Sequence, residues 1–345
     1  MPMARLLAGG MDYADATELH ERSASGAPWD GAAEALGERD LERARTALAQ
    51  GHRLTAQTWF LFASACFRFG QALLTDRAPR KLHLYRRMLA TFRSGGDLKD
   101  PPVEHIELPW RDAALSAWLL SPARPSPHPF VIVLGGVDAW REEYEPGARY
   151  LHDRGISTLL VDGPGQGEAR LLRGVHLDCE VAAALGLFVE FALAHPRCNG
   201  RVGIWGNSAG GWLGAHLAAA DHRIAACCIN GGTDRPTEIL DRFPGFIANL
   251  QAFTGRQEPE GARTVLDALT LDEEILERLR CPLHVVHGTP DTVFLVDGAR
   301  RIHALAGSDD KALSEFPDGD HCIANRSHEK NVLFADWLSS RLQRG

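Results

Sequence analysis

The sequence has no apolar stretch approaching membrane-spanning length. The Leu6-Leu7-Ala8 patch is too short for the apolar core of a signal peptide. Neither insertion into a membrane nor export is expected. A basic stripe is also lacking. The 37 Lys and Arg residues are outnumbered by 45 Asp and Glu, for a net charge of −8. No Lys/Arg run is interleaved with aromatics, so nucleic acid is not an expected partner. No C-x-x-C pair occurs. Cys66, Cys179, Cys198, Cys227, Cys228, Cys281 and Cys322 are an odd number and scattered, mostly among apolar neighbours. That pattern does not make a disulfide framework and fits a reduced, cytoplasmic compartment. No His/Cys/Asp/Glu set has metal-ligand spacing, and His321-Cys322 are adjacent rather than spaced for a tetrahedral site. Asp162-Gly-Pro-Gly-Gln-Gly167 lacks the Lys-Ser/Thr of a phosphate loop and the helical glycine of a dinucleotide fingerprint. It reads as a tight structural turn. Neither a metal nor a cofactor is expected. There are no internal repeats and no low-complexity tract.

What is present is 345 residues, 45% of them hydrophobic, enough for a large core with a smaller companion domain. Residues before about Pro28 show no clear periodicity and read as loosely ordered. From Ala33 to about Arg93 apolar residues recur at three- and four-residue steps, the mark of several helices. Gly51 and Gly70 stand where helices could stop, and Gly95-Gly96 end the last. The aromatics Trp59, Phe60, Phe62, Phe67 and Phe69 read as packing. Asp100-Pro101-Pro102 marks a boundary. The expectation is a helical domain over 1–100 and a second domain over 101–345.

Beyond the boundary the period changes. Alternating residues from Val103 and then Ala114–Leu120 read as strands, followed by a polar loop over 121–129. Phe130–Leu134 is a continuous apolar run, as in a strand buried on both faces. Ile156–Val161, Val202–Trp205, Ile224–Ile229, Leu283–His287 and Lys311–Phe316 are further strands. Helices around Tyr144–Leu151, Val181–Ala194, Trp212–Ala218, Val296–Leu305 and Val332–Leu342 alternate with them. Alternation of this kind predicts an α/β fold, a mostly parallel doubly wound sheet with both faces covered. After the sixth strand the alternation is interrupted over about 233–280. One helical stretch over Ile239–Leu250 and another over Leu266–Leu279 read as an insertion lying over the strand ends.

The stretch that organises the chain is Arg201–Gly214. Val202, Ile204 and Trp205 end a buried strand. Gly206-Asn207-Ser208-Ala209-Gly210 fits G-x-S-x-G, and a helix begins at Trp212. Strand, tight turn and helix is the context that pattern needs. A serine hydroxyl is a weak nucleophile; it requires a base, and the base an orienting carboxylate. In such a sheet the order is serine, then acid, then histidine, each after a strand. Asp291 follows His287-Gly-Thr-Pro290. His321 stands in Asp318-Gly-Asp-His321. Ser208, Asp291 and His321 are therefore the candidate catalytic residues, with Asp297 as a possible replacement for Asp291. The candidate oxyanion donors are the backbone N–H of Ala209 and, from the turn after Leu134, that of Val137 or Gly136.

These motifs identify the chain as resembling an α/β-hydrolase. Leu134-Gly-Gly-Val-Asp138 with Glu142-Glu143, Asp162-Gly-Pro-Gly-Gln-Gly-Glu168, Gly206–Gly211, His287-Gly with Asp291, and Asp318-Gly-Asp-His-Cys322 resemble one branch. It holds carbon–carbon bond hydrolases of nicotine breakdown (the 2,6-dihydroxypseudooxynicotine type), polyketide-shortening hydrolases of pigment pathways and fermentation–respiration-switch proteins. The likeness is specific from about Phe130 onward. It implies a Ser208–Asp291–His321 triad, an N-terminal helical cap over the active site and a homodimer. It also implies an acidic residue after the Gly-Gly turn that assists carbon–carbon cleavage. Asp138 falls at that place, as Asp where the branch has Glu, and capping of the following helix is its alternative role. Three functions follow as expectations. The first is hydrolysis of a carbon–carbon bond next to a ketone in an aromatic or polyketide-like small molecule. The second is ester or thioester hydrolysis, or acyl transfer, with the same residues. The third is a non-catalytic binding module on a hydrolase scaffold.

Overall fold

The computed structural model describes residues 1–125 and 127–343. Ser126, within the expected polar loop, and Arg344 and Gly345 at the end of the expected second domain lie outside the described residues. The chain forms two compact units. The first is Met1–Glu104 with Glu142–Pro146; the second is His105–Arg141 with the residues from Gly147 on.

The first unit is helical: α1 (Met3–Ala8), α2 (Tyr13–Ala24), α3 (Trp29–Ala49), α4 (Arg53–Gln71) and α5 (Pro79–Gly96). The start of the chain is thus not loose, contrary to expectation. The Asp12 side chain caps α2 by accepting the Ala14 N–H at 2.9 Å. Leu6, Met11, Ala16 and Leu19 bury against Ala33, Leu36, Ala65 and Phe69. Short helices of this length are marginal alone, so tertiary burial decides. Gly51 does end a helix, at φ +79°. Gly70 lies inside α4, in close approach to Ala33.

Asp15 and Asp40 are both buried in this unit. Arg39 pairs with Asp15, and Arg43 donates to Asp40 at 3.0 Å. One oxygen of each carboxyl has no hydrogen-bond partner, and the two carboxyls lie together in one buried cluster. Burial, then the neighbouring Asp15 carboxyl, raise the Asp40 pKa to about 7. The folded state therefore holds a proton that the unfolded chain releases near pH 4. This stabilisation is fully present below about pH 4 and is lost as pH rises through about 7. Asp40→Asn should flatten the pH dependence of unfolding across that window, which approaches about 1.4 kcal/mol per pH unit. Denaturant melts at pH 5 and pH 8 check this. An unchanged slope would count against a raised Asp40 pKa.

Among the described residues, the second unit is built on eight strands: β1 (Glu104–Trp110), β2 (Ala113–Leu120), β3 (His128–Leu134), β4 (Ser157–Asp162), β5 (Cys198–Asn207), β6 (Ile224–Asn230), β7 (Leu283–Gly288) and β8 (Lys311–Phe316). Their order is β1-β2-β4-β3-β5-β6-β7-β8. The pairs from β4–β3 to β7–β8 are parallel, and β2 runs antiparallel to β4. The sheet is the mostly parallel doubly wound one expected. Every residue of β3 and β4 is buried, as strands covered on both faces require. Between them and after them come α6 (Glu145–His152), α7 (Gly167–Leu171), α8 (Val181–Ala194) and α9 (Ala209–Ala220). In β5, Ile204 packs on Gly214 of α9, while Trp205 faces the other way onto Phe334, ring centroids 5.3 Å apart.

The insertion holds α10 (Ile239–Arg242), α11 (Ile247–Thr254), α12 (Pro259–Asp267) and α13 (Glu273–Arg278). The single stretch expected over Ile239–Leu250 is broken at Phe243-Pro244, because proline has no N–H for the helix ladder. α14 (Val296–Leu305) and α15 (Ser327–Leu342) complete the unit. β3 connects to β4 on one side, and β5 returns to the other side of β3. The carboxyl ends of β3 and β5 therefore flank the switch point where open α/β sheets build their sites.

Candidate active site

Ser208 sits between β5 and α9 at φ +55°, ψ −126°, a conformation a non-glycine residue adopts only when held there. Two contacts hold it: its N–H donates to the Asn230 carbonyl at 2.8 Å, and its carbonyl accepts the Gly211 N–H at 2.9 Å. A Cβ on Gly206 would run into the Gly210 carbonyl. A Cβ on Gly210 would run into those of Leu134 and Gly135. The turn closes on the end of β3 because both positions lack side chains.

The three candidate residues meet. His321 Nε2 lies 2.9 Å from Ser208 Oγ, and His321 Nδ1 lies 2.7 Å from Asp291 Oδ2. Asp291, 3% exposed, follows β7 by a Gly288-Thr-Pro turn, and its Oδ1 accepts the Val293 N–H at 2.8 Å. His287 lies beneath, its Nε2 3.4 Å from Asp291 Oδ2 while it donates to the Phe294 carbonyl at 2.9 Å. Burial pushes the His287 pKa down, so that imidazole stays neutral. His321 differs. Burial opposes its charge, but the Cys322 sulfur and the Asp291 carboxylate outweigh burial and raise its pKa to about 10. Asp297 stands in the first turn of α14 and pairs with Arg300 at 3.0 Å, outside this chain of bonds.

Gly136 packs on the nucleophile: a Cβ there would lie 3.1 Å from Ser208 Cβ and 3.2 Å from Oγ. Among the described residues, no backbone bond uses the N–H of Gly136, Val137 or Ala209. Asp138, half-buried, accepts a hydrogen bond from Asn249 of α11.

Several residues of this site were not singled out in the sequence. Asn230, fully buried at the end of β6, donates to Asn207 Oδ1 at 2.9 Å and to the Cys322 carbonyl at 3.0 Å. It thereby joins the serine turn to the histidine loop. That loop turns sharply through Cys322 and Ile323, at φ +58° and +55°. The Cys322 sulfur lies 3.6 Å from His321 Nε2. Asn249 and Gln166 are the others. Their signal was a polar side chain among glycines or in an apolar helix with no evident partner. Two other acidic groups gather, His105-Glu107-Glu168 and Asp15-Asp40-Cys66. Both are already charge-balanced by arginines: Arg141 and Arg173 bond Glu168, Arg173 bonds Glu107, and Arg39 and Arg43 bond the aspartates.

This sheet order, with a strained serine turn at its switch point, defines an α/β-hydrolase, and the chain is an enzyme of that class. The chain is similar to the 2,6-dihydropseudooxynicotine hydrolase of Paenarthrobacter nicotinovorans, with 28% identity over 99% of its own length and 92% of the relative. The solved 2,6-dihydroxy-pseudo-oxynicotine hydrolase superposes with a TM-score of 0.90 at 26% identity, covering 99% of this chain and 96% of that one. The α/β hydrolase gkaG of Penicillium citrinum is 32% identical over 58% of this chain and 49% of its own. The chain spans about half the length of that fungal relative. No family model matches. Among the described residues no helix is long and apolar enough to cross a membrane.

Proposed function

We propose that this enzyme is a serine hydrolase cleaving a carbon–carbon bond next to a ketone in an aromatic or polyketide-like small molecule. The observation that carries the reading is the chain of bonds from Asp291 through His321 to Ser208. Whole-length similarity to a hydrolase of a pseudooxynicotine supports the substrate class. Ser208 Oγ attacks the carbonyl carbon and His321 Nε2 takes its proton. The oxyanion of the tetrahedral adduct sits on the N–H groups of Ala209 and Val137, with Gly136 beside them. The carbon–carbon bond then breaks, and its electron pair leaves as the enolate of the neighbouring ketone. His321 returns the proton to that enolate, with Asp138 placed to bind or assist. Water, deprotonated by His321, releases the acid from Ser208. No cofactor or metal enters. Residues 1–100 are its helical cap domain, and the enzyme works as a cytoplasmic homodimer. Its seven unpaired cysteines fit a reducing compartment.

The test gives purified enzyme an aryl β-diketone and the ester of the same acyl group, with Ser208→Ala as blank. Release of the aryl acid from the diketone supports the reading. Brisk ester hydrolysis with no diketone cleavage would overturn it in favour of an esterase. Asp291→Asn should lower kcat by roughly 10⁴-fold, because the amide no longer holds the imidazole tautomer. It should also move the acidic limb of kcat/KM, below which the base is protonated, to lower pH, since a carboxylate that helps raise the His321 pKa is gone. A pH–rate profile of wild type and variant measures both.

A further inference from the structure

The glycine-rich turn after β4 does more than reverse the chain. Gln166, 1% exposed, uses every polar atom of its amide. Nε2 donates to the Gly135 carbonyl at 2.5 Å and to the Gly136 carbonyl at 3.2 Å. Oε1 accepts the Gly163 N–H at 3.0 Å. Only one orientation of the amide satisfies two carbonyls and one N–H. The Gln166 backbone is itself tied, its N–H donating to the Gly163 carbonyl at 2.9 Å.

The two carbonyls are informative because peptide units are planar and trans. In each unit the N–H points opposite to the C=O. The Gly135 carbonyl shares its plane with the Gly136 N–H, and the Gly136 carbonyl with the Val137 N–H. Holding both carbonyls on Gln166 turns both N–H groups away from it. Glycine resists rotation of its flanking peptides less than any other residue. Nothing intrinsic to Gly135-Gly136 keeps these donors aimed.

We infer that Gln166 is a positioning residue for the oxyanion donors, clamping the Gly135-Gly136 turn so that its N–H groups face Ser208. This rests on the serine-hydrolase reading above. Gln166→Glu keeps the size and the Gly163 bond, but its carboxylate cannot donate and faces two carbonyl oxygens. Gln166→Met keeps size and loses all three bonds. With p-nitrophenyl butyrate, both should lose 10²- to 10³-fold in kcat, the cost of a lost oxyanion donor, while KM stays within about threefold. Inhibition by an aryl trifluoromethyl ketone, which forms the tetrahedral adduct, should weaken in step with kcat/KM. The Glu variant should recover part of its deficit relative to wild type at low pH, where a protonated carboxyl donates again. A role limited to packing would move none of these ratios. Folded variants with kcat within threefold of wild type, or with unchanged ketone inhibition, overturn the inference. If the Met variant does not fold, the Glu variant decides alone. Wild type whose Ser208 takes no fluorophosphonate label overturns the serine-hydrolase reading itself; labelled wild type with undiminished Gln166 variants overturns only the clamp.

Discussion

Ser208→Ala should abolish turnover, lowering kcat by on the order of 10⁵- to 10⁶-fold with KM nearly unchanged. The hydroxyl is the one nucleophilic group placed 2.9 Å from His321 Nε2 on the strained turn. The Cys322 sulfur, at 3.6 Å from the same nitrogen, follows His321 on a different loop and is not on that turn. The backbone donors and the substrate contacts survive the change, so a trace of catalysis above the uncatalysed rate should remain. Unfolding should be unaffected, because Ser208 is half-buried and its turn is held by backbone bonds. Product formation and a melting curve on the same sample check both statements. Activity above about one per cent of wild type would mean that the nucleophile lies elsewhere.

Gly206→Ala should have the largest effect on stability. Its new methyl would occupy the space of the Gly210 carbonyl oxygen and crowd the Gly211 Cα. These are backbone atoms, so no side chain can swing aside. The strand end or the first turn of α9 must move, and both carry the serine. Overpacking of a core typically costs 1–3 kcal/mol, and a clash with fixed backbone belongs at or beyond that range. The expected outcome is a melting temperature lowered by at least several degrees, or failure to accumulate as folded protein. Gly186→Ala is the control, since a Cβ there meets nothing within 4 Å. Equal melting temperatures for the two variants would show that the turn is softer than its geometry implies.

The strands and the three residues that meet were legible because each has a local signature. Phe130–Leu134 is apolar throughout, as burial on both faces demands. Ser208 is marked by its two flanking glycines. Asp291 and His321 were found by their order after strands, a consequence of where a parallel sheet puts its carboxyl ends. What escaped depends on partners distant in sequence. Asn230 gains its role from Asn207 and Cys322, 23 and 92 residues away. Gln166 looked like one polar residue in a tight turn, and nothing local shows which carbonyls it reaches. The helices before Pro28 were missed because their apolar residues are few, and only burial against α3 and α4 makes them helical. The break at Pro244 was legible in principle, since proline interrupts a helical pattern wherever it stands.

The insertion is stitched to the loop that carries the acid. Arg242 of α10 donates to the Thr292 and Val293 carbonyls at 2.7 and 2.9 Å, and Glu238 accepts the Leu295 N–H at 3.2 Å. Val293 is the residue whose own N–H fixes Asp291. Grafting a foreign segment over residues 233–280 to change substrate preference would cut those stitches. A chimera built that way would need the donor's loop over 289–295 as well, so that selectivity and proton-transfer geometry travel as one cassette.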